Sequence, residues 1–368
     1  MEWAGAFGDL GTLVPFVVAY IAVLKMDPFG ILFAFGAALL ICGLYYKTPF
    51  PVQPMKALGA AAVTQAAQTA IVTSATVYAA GLVTGLIWLV LGLSGAATGI
   101  ARIVPRFVII GIVLGLGLSF MTEGIKLMST GWVIAASGLA GTLIVLTNRR
   151  VPAMFLLLLF GAVCGIIQSP AVLHALSGVR LELHAPHLAL AISWHDLWVG
   201  TLFLALPQLP LTLGNAVIVI REENNRLFPG HPVTDRSVAT STGLLNLWGS
   251  CVGGVPMCHG AGGMAGHVAF GARTGGAPII LGTILLVLAF GFSGSIETIL
   301  TVFPRAVLGV ILFLTGAQLA LGSCDFSKNK VERFITLATA AFAIWNVGLA
   351  FGVGMTLGYM AKRAWLRL

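Results

Sequence analysis

Long apolar runs alternate with short polar breaks along almost the whole chain. They fall at roughly 4–24, 28–46, 52–66, 70–95, 105–121, 130–147 and 151–169, and after a polar stretch at about 197–220, 236–251, 255–270, 277–293, 303–321, 331–346 and 347–363. Read as segments 1 to 14, they divide seven and seven. A helix rising about 1.5 Å per residue needs about 20 residues to cross a hydrocarbon core of about 30 Å. Segments 3 and 10 are too short to span. Each follows a proline-bearing stretch: Pro49-Phe50-Pro51-Val52-Gln53-Pro54-Met55-Lys56-Ala57 in one half, Val255-Pro256-Met257-Cys258-His259-Gly260-Ala261-Gly262-Gly263 in the other. Proline removes a backbone donor and pushes the preceding residue towards extended geometry. Inside a membrane such a break is tolerated only where protein buries it or where it lines a cavity. A matched pair of broken segments, one per half, points to a binding site at their junction.

An internal repeat supports the division. Pro105-Arg106-Phe107-Val108 opens segment 5 and Pro304-Arg305-Ala306-Val307 opens segment 12, an offset of 199 residues. Pro54-Met55 and Pro256-Met257 recur at an offset of 202. An odd number of segments per half inserts the two halves with opposite topology. With both termini in the cytoplasm, fifteen basic residues fall inside: Lys47, Arg102, Arg106, Arg149, Arg150, Arg221, Arg226, Arg236, Arg273, Lys328, Lys330, Arg333, Lys362, Arg363 and Arg367. Only four, Lys25, Lys126, Arg180 and Arg305, fall outside, while Lys56 lies within the membrane. That asymmetry is the positive-inside bias of a multi-pass protein of the cytoplasmic membrane.

Composition agrees. The chain is 58% hydrophobic and 9% charged, against about 25% charged in soluble domains. Its mean hydropathy is +1.00. The 46 glycines suit transmembrane helices packed through small residues. The net charge of +8 sits in short loops and marks orientation rather than nucleic-acid binding. Cys42, Cys164, Cys251, Cys258 and Cys324 form no Cys-x-x-Cys pair and read as packing residues. No cleavable leader is expected, because the run from Trp3 lacks a basic head and carries Gly8-Asp9-Leu10-Gly11-Thr12. No soluble domain is expected after segment 14.

Several residues are candidates for chemistry. Gln53 sits between prolines ahead of a half-helix beginning near Met55, and Met257-Cys258-His259-Gly260 holds the matching place. If both half-helices start near the membrane centre, their free N–H groups and positive dipole ends converge, a site for an anion. Lys56, one residue into the half-helix, raises positive potential there or pairs with an acid such as Asp9. Asp9 is a candidate coupling group, a partner for Lys56, or a residue at the mouth of segment 1. Segment 8, with Pro207 and Pro210, reads as a deformed helix offering Gln208, Thr212 and Asn215, either to a ligand or to neighbouring helices. His259 and His267 flank the second half-helix; His259, beside the break, is favoured as a hydrogen-bonding or titrating group. Arg273, Glu123 and Glu297 read as orientation or structural charges. His174, His184, His187 and His195 crowd the loop between the halves without metal-ligand spacing. No metal site, cofactor or catalytic motif is expected, so the chain is not read as an enzyme.

These motifs carry a resemblance. Pro51-Val52-Gln53-Pro54-Met55-Lys56-Ala57 and Pro256-x-Cys258-His259-Gly260-x-Gly262-Gly263, followed by Phe270-Gly271-Ala272-Arg273, resemble the two signature motifs of the molybdate transporter family, a branch related to the sulfate permeases. Gly8 to Thr12 and Pro207 to Asn215 are similar to its first and eighth segments. The likeness extends over essentially the whole chain. It implies an all-α polytopic fold of 14 segments in a 7+7 inverted repeat, shared with uracil permease, with short strands plus half-helices at segments 3 and 10. It further implies a core domain (1–97 and 197–295), a gate domain (98–170 and 296–368) and an external linker (171–196). Where family members often carry glutamine and tyrosine after the glycines, this chain has His267-Val268-Ala269.

The expected function is secondary transport of molybdate, by movement of the core against the gate. The expected substrate-binding residues are Gln53, Met55, Lys56, Gln208, Thr212, Asn215, Met257, Cys258, His259 and Gly260, with Asp9 and His259 as coupling candidates; proton symport, uniport and exchange are all open. Partners are the oxyanion, the lipid bilayer and, by resemblance, a second copy paired through the gate. A sulfate transporter of the same fold is the first alternative, since the two anions share charge and shape. A nucleobase permease would be expected to use a carboxylate in segment 8, where this chain has Gln208 and Asn215. A non-transporting membrane receptor is the remaining alternative.

Overall fold

Short polar residues, proline and glycine set the helix ends. Asp27 accepts hydrogen bonds from Phe29 N (3.1 Å) and Gly30 N (3.3 Å), and Pro28 fills the first helical position, so Pro28–Tyr46 begins there. Thr73 and Thr76 cap each other's backbone to open Ser74–Ser94, which closes on Gly95 at φ 75°. Thr234 and Ser237 do the same for Asp235–Cys251. In this computed structural model the described residues are 2–56, 58–59, 62, 72–146, 153–185, 191–321, 323, 326–345 and 347–365.

Among the described residues, six helices are long and apolar enough to cross a membrane: Glu2–Ile21, Pro28–Tyr46, Ser74–Ser94, Arg106–Met128, Trp194–Leu227 and Gly276–Ser295. Shorter apolar helices include Trp132–Val145 and Phe155–Gln168. The fold is overwhelmingly helical, and its three most extensive helix pairings join opposite halves of the chain. Pro28–Tyr46 lies along Gly276–Phe292, with Gly36 against Gly282 and Gly43 against Gly275. Ser74–Ser94 lies along Asp235–Cys251, with Gly85 against Leu247 and Gly92 against Thr240. Arg106–Met128 lies along Arg305–Leu321, with Gly117 against Gly316 and Gly124 against Gly309. In each pair one partner's numbers rise as the other's fall, so the helices are antiparallel. Where a Cβ would fall within 2.9 Å of the neighbouring backbone, as at Gly36 and Gly117, only glycine allows the approach that packing between apolar helices in lipid requires.

At the centre of these pairs lie the two breaks. Gln53–Pro54 (β1) and Met257–Cys258 (β2) form a two-stranded antiparallel sheet, Gln53 opposite Cys258 and Pro54 opposite Met257. After β2 the chain turns into the helix Ala261–Ala269. The corresponding helix after β1 falls mostly outside the described residues; Lys56, Leu58, Gly59 and Ala62 within it are helical.

Segment 8 departs from a regular helix as its prolines predict. Leu206–Leu213 carries Pro207 and Pro210 and is bracketed by π-helical turns at Gly200–Ala205 and Gly214–Val219. Pro207 has no N–H for the carbonyl four residues back, and its ring crowds that carbonyl. The wider first turn gives both room. Other boundaries shift. Segment 5 runs on to Met128, and short helices unforeseen in the sequence occupy Ala96–Ile103 and Ala171–Ser177. Segment 1 is broken by a 3-10 turn at Phe7–Asp9 before Leu10–Leu24 resumes.

Candidate functional site

Asn246 holds the second break in place. Its side chain accepts from Met257 N (2.8 Å) and donates to Met257 O (2.6 Å), acting as an extra strand beside β2. At the first break Met55 N donates to Pro256 O (2.8 Å), so the two breaks are stitched backbone to backbone. The amides of Met55 and Met257 are therefore committed to the protein, and the sulfur atoms of Met55, Met257 and Cys258 lie on side chains packed in the apolar core.

The pairing brings Gln53 to the start of Ala261–Ala269. A Cβ on Gly260 would strike Gln53 Oε1 and come within 3.3 Å of Asn215 Nδ2; one on Gly263 would lie 2.7 Å from Gln53 Nε2. Gly260, the residue before the helix, caps it with no side chain. Gln53, Asn215, Gly260 and an uncapped helix N-terminus thus meet at one point inside the protein. Helix N-termini favour anions through free N–H groups and the peptide dipole. Gln53 Oε1, Asn215 Oδ1 and Lys56 Nζ are all buried without a hydrogen-bond partner among the described residues. Buried polar atoms are rarely left so. Lys56 makes no ion pair with Asp9; its Nζ stands 5.4 Å from the centroid of the Phe120 ring on Arg106–Met128.

The other candidates spend their polar atoms on protein. Gln208 Oε1 accepts from Leu58 N (3.0 Å) and its Nε2 donates to Thr212 Oγ1 (2.9 Å). Gln208 therefore caps the start of the first half-helix, and the two N-termini are not equally open. His259 Nδ1 donates to Pro51 O (2.8 Å), and its Nε2 pairs with Ser241 Oγ (2.8 Å), which also meets Tyr46 OH (2.7 Å). With both nitrogens engaged and its ring against Phe50 and Tyr46, His259 anchors the breaks to their surroundings. Asp9 is buried rather than at an exposed mouth. Its Oδ1 accepts from Gln53 Nε2 and from Thr12 Oγ1 (2.8 Å), and Thr12 Oγ1 accepts from Gln53 Nε2 (2.7 Å). His267 is equally buried and has one nitrogen, Nε2, without a hydrogen-bond partner among the described residues, at 3.9 Å from Asp9 Oδ2.

Sequence reading missed Thr12, Asn246 and Ser241, and it ranked His267 below His259. The signal for Asn246 and Ser241 was their polarity inside the apolar segment 236–251. Arg273 closes Ala261–Ala269 by donating to Val268 O (3.0 Å) and Ala272 O (2.7 Å), and Glu123 pairs with exposed Lys126. Of the loop histidines, His174, His184 and His195 are described and His187 lies outside the described residues, as do Arg149, Arg150, Cys324 and Arg367. Among the described residues no group of His, Cys, Asp and Glu could hold a metal ion. A cavity of about 570 Å³ opens between Arg106–Met128 and the end of segment 8, lined by Arg106, Ile109, Ile218, Arg221, Glu223 and Asp235. It does not reach Gln53 or Gly260, and Arg221 Nε lies 3.1 Å from Asp235 Oδ1 within it.

Opposed helix pairs around two short extended breaks define a class. The fold superposes on the murine Solute Carrier 26 family member A9 anion transporter in the inward-facing state with a TM-score of 0.71 at 13% identity, covering 100% of this chain and 69% of that one. It superposes on the transmembrane domain of the cyanobacterial bicarbonate transporter BicA with a TM-score of 0.65 at 14% identity, covering 96% of each. At such identities the likeness is one of fold: a multi-pass helical membrane protein with the architecture of these anion transporters.

Sequence relatives narrow the class. A family model described as "Molybdate transporter of MFS superfamily" matches residues 1–120 and 200–319, which include both breaks. Molybdate transporter 2 of Arabidopsis thaliana is 32% identical over 98% of this chain and 87% of its own length. Molybdate transporter 1 of the same plant is 31% identical over 96% and 86%. The chain belongs to the molybdate transporter family. Although the family description names the MFS superfamily, the structural likeness found is to SLC26-type transporters.

Proposed function

We propose that this protein is a secondary transporter that moves molybdate, a tetrahedral oxyanion, across the cytoplasmic membrane. The observation that carries this reading is the convergence of Gln53, Asn215, Gly260 and the uncapped N-terminus of Ala261–Ala269 at one buried point. Backbone N–H groups, the Asn215 amide and the Lys56 ammonium would hold the anion, with Thr212 nearby on the same segment as Asn215. Gln208, His259, Met55, Met257 and Cys258 set the positions of these groups.

The architecture we infer has fourteen segments in two inverted halves, with both termini cytoplasmic. Core (1–97, 197–295) would slide against gate (98–170, 296–368), joined by the external linker 171–196. The antiparallel pairing of helices from opposite halves, the pairing of β1 with β2 and the distribution of basic residues support it. The cavity between Arg106–Met128 and segment 8 lies along the proposed core–gate boundary and would be the cytoplasmic approach. Its basic and acidic side chains balance, so selection is left to the buried point beyond it.

Purified protein titrated with molybdate, tungstate, sulfate and uracil tests the reading by thermal shift or calorimetry. Saturable stabilisation by molybdate and tungstate is expected. Sulfate alone would move the assignment to the sulfate carrier, and uracil alone would overturn the oxyanion reading. Asn215→Ala, which removes the amide donor beside Gly260, is expected to weaken oxyanion binding on the order of tenfold to a hundredfold, the range for hydrogen bonds involving charged groups.

A further inference from the structure

Gly8 and Gly266 bring segment 1 and the second half-helix into backbone contact; a Cβ on Gly266 would lie 2.6 Å from Gly8 O. That contact sets Asp9 against His267, both fully buried. His267 Nδ1 lies 2.7 Å from Gly5 O. A carbonyl oxygen only accepts, so Nδ1 carries the hydrogen, and in the neutral ring Nε2 is a bare acceptor. It faces Asp9 Oδ2 at 3.9 Å, also an acceptor when ionised, and neither atom has a hydrogen-bond partner among the described residues. Asp9 Oδ1 is already occupied by Gln53 and Thr12. Two lone pairs facing each other in a buried site repel. A single proton between them would let the 3.9 Å gap close to a charge-assisted hydrogen bond of about 2.8 Å.

We propose that Asp9 and His267 form a one-proton site, and that loading it strengthens binding of the oxyanion at Gln53 and Gly260. The proposal rests on the transport reading above and deepens it. Loading forms one N–H bond at His267 Nε2 with a proton drawn from water, and unloading returns that proton to water; no other bond changes. By formal charge Asp9 and Lys56, which interact electrostatically, cancel, so the added proton leaves the site at +1. A dianion arriving beside Gln53, the residue bonded to Asp9, meets a neutral site before loading and a cationic one after. By linkage the anion strengthens the proton's binding by the same factor.

The other charged groups on elements packed against this helix are committed elsewhere. Glu2 accepts from the amides of Arg273, Thr274 and Ala277. Arg221 pairs with Asp235 and Glu222, and Arg226 with Glu223. Arg305 is exposed.

Calorimetric titration of the full-length protein with tungstate, from about pH 6.5 to 8.5, tests this. Affinity is expected to fall as pH rises, by up to about tenfold per unit, the limit for one linked proton. His267→Gln, which keeps a hydrogen-bonding side chain at a position outside the anion's own contacts, is expected to bind tungstate with little pH dependence. A pH-independent wild type, or an unchanged slope in His267→Gln, overturns the proposal. If wild type binds no oxyanion, the transport reading fails instead, and the proton site is then read directly. The pH-difference infrared spectrum of ligand-free protein with ring-labelled histidine should show an imidazole band that His267→Gln removes and Asp9→Asn shifts. If that band is absent, or indifferent to Asp9→Asn, the proton site is overturned as well.

Discussion

The two ends of the second half-helix carry a histidine each, equally buried and eight residues apart, yet they are placed for opposite work. At the N-terminal end His259 has both nitrogens bonded, to Pro51 and Ser241, and its ring is held by two aromatic neighbours. At the C-terminal end His267 has one nitrogen fixed by Gly5 and the other 3.9 Å from the Asp9 carboxyl, with no hydrogen-bond partner among the described residues. Residue type and burial are the same. What differs is whether the surroundings satisfy the ring in one protonation state. A satisfied histidine stiffens a site, and a half-satisfied one can respond to it.

Three substitutions test that contrast at descending scale. His259→Ala should be the most damaging to stability, because it strands the Pro51 carbonyl and empties the space its ring fills beside Phe50 and Tyr46. The stranded carbonyl costs about 1–3 kcal/mol, tempered by the lower average for intramembrane hydrogen bonds, and the lost ring packing adds to it, so about 2–4 kcal/mol is expected. Unfolding in detergent without ligand reads this, and an unchanged midpoint would refute the anchoring role. Gly266→Ala drives a methyl against Gly8 O and should cost about 1–3 kcal/mol by overpacking. Because it parts Asp9 from His267, it should also flatten the pH dependence of tungstate affinity; a stability loss with the slope intact would separate the two effects. Lys126→Ala removes an exposed ion pair with Glu123, worth under about 1 kcal/mol. It should move neither the midpoint nor the slope measurably, which gives the baseline for the other two.

Much of the architecture was legible in the sequence because its causes are local. Proline lacks an N–H wherever it stands, so Pro51, Pro54 and Pro256 announce extended breaks, and Pro207 and Pro210 announce a distorted segment 8. Asp27, Thr73 and Thr234 likewise mark helix starts through bonds to residues two or three positions on. The candidate site was legible in membership more than in role. Gln53, Asn215 and Gly260 were singled out and do meet. Gln208 was singled out for a ligand or for a neighbouring helix, and it caps the first half-helix at Leu58. Asn246 passed unnoticed because nothing near it in the chain signals a partner for Met257.

By itself, then, the sequence determined that this is a multi-pass membrane protein with two interrupted segments, one per half. Transfer of apolar side chains into lipid and the missing donor of proline act residue by residue, whatever the rest of the chain does. Only the tertiary structure decided which buried polar atoms are left over. The partner of His259 Nδ1 lies 208 residues away in the chain and that of His267 Nδ1 lies 262 away. Whether a polar group is spent or spare depends on its partners, and those arrive only when distant segments pack.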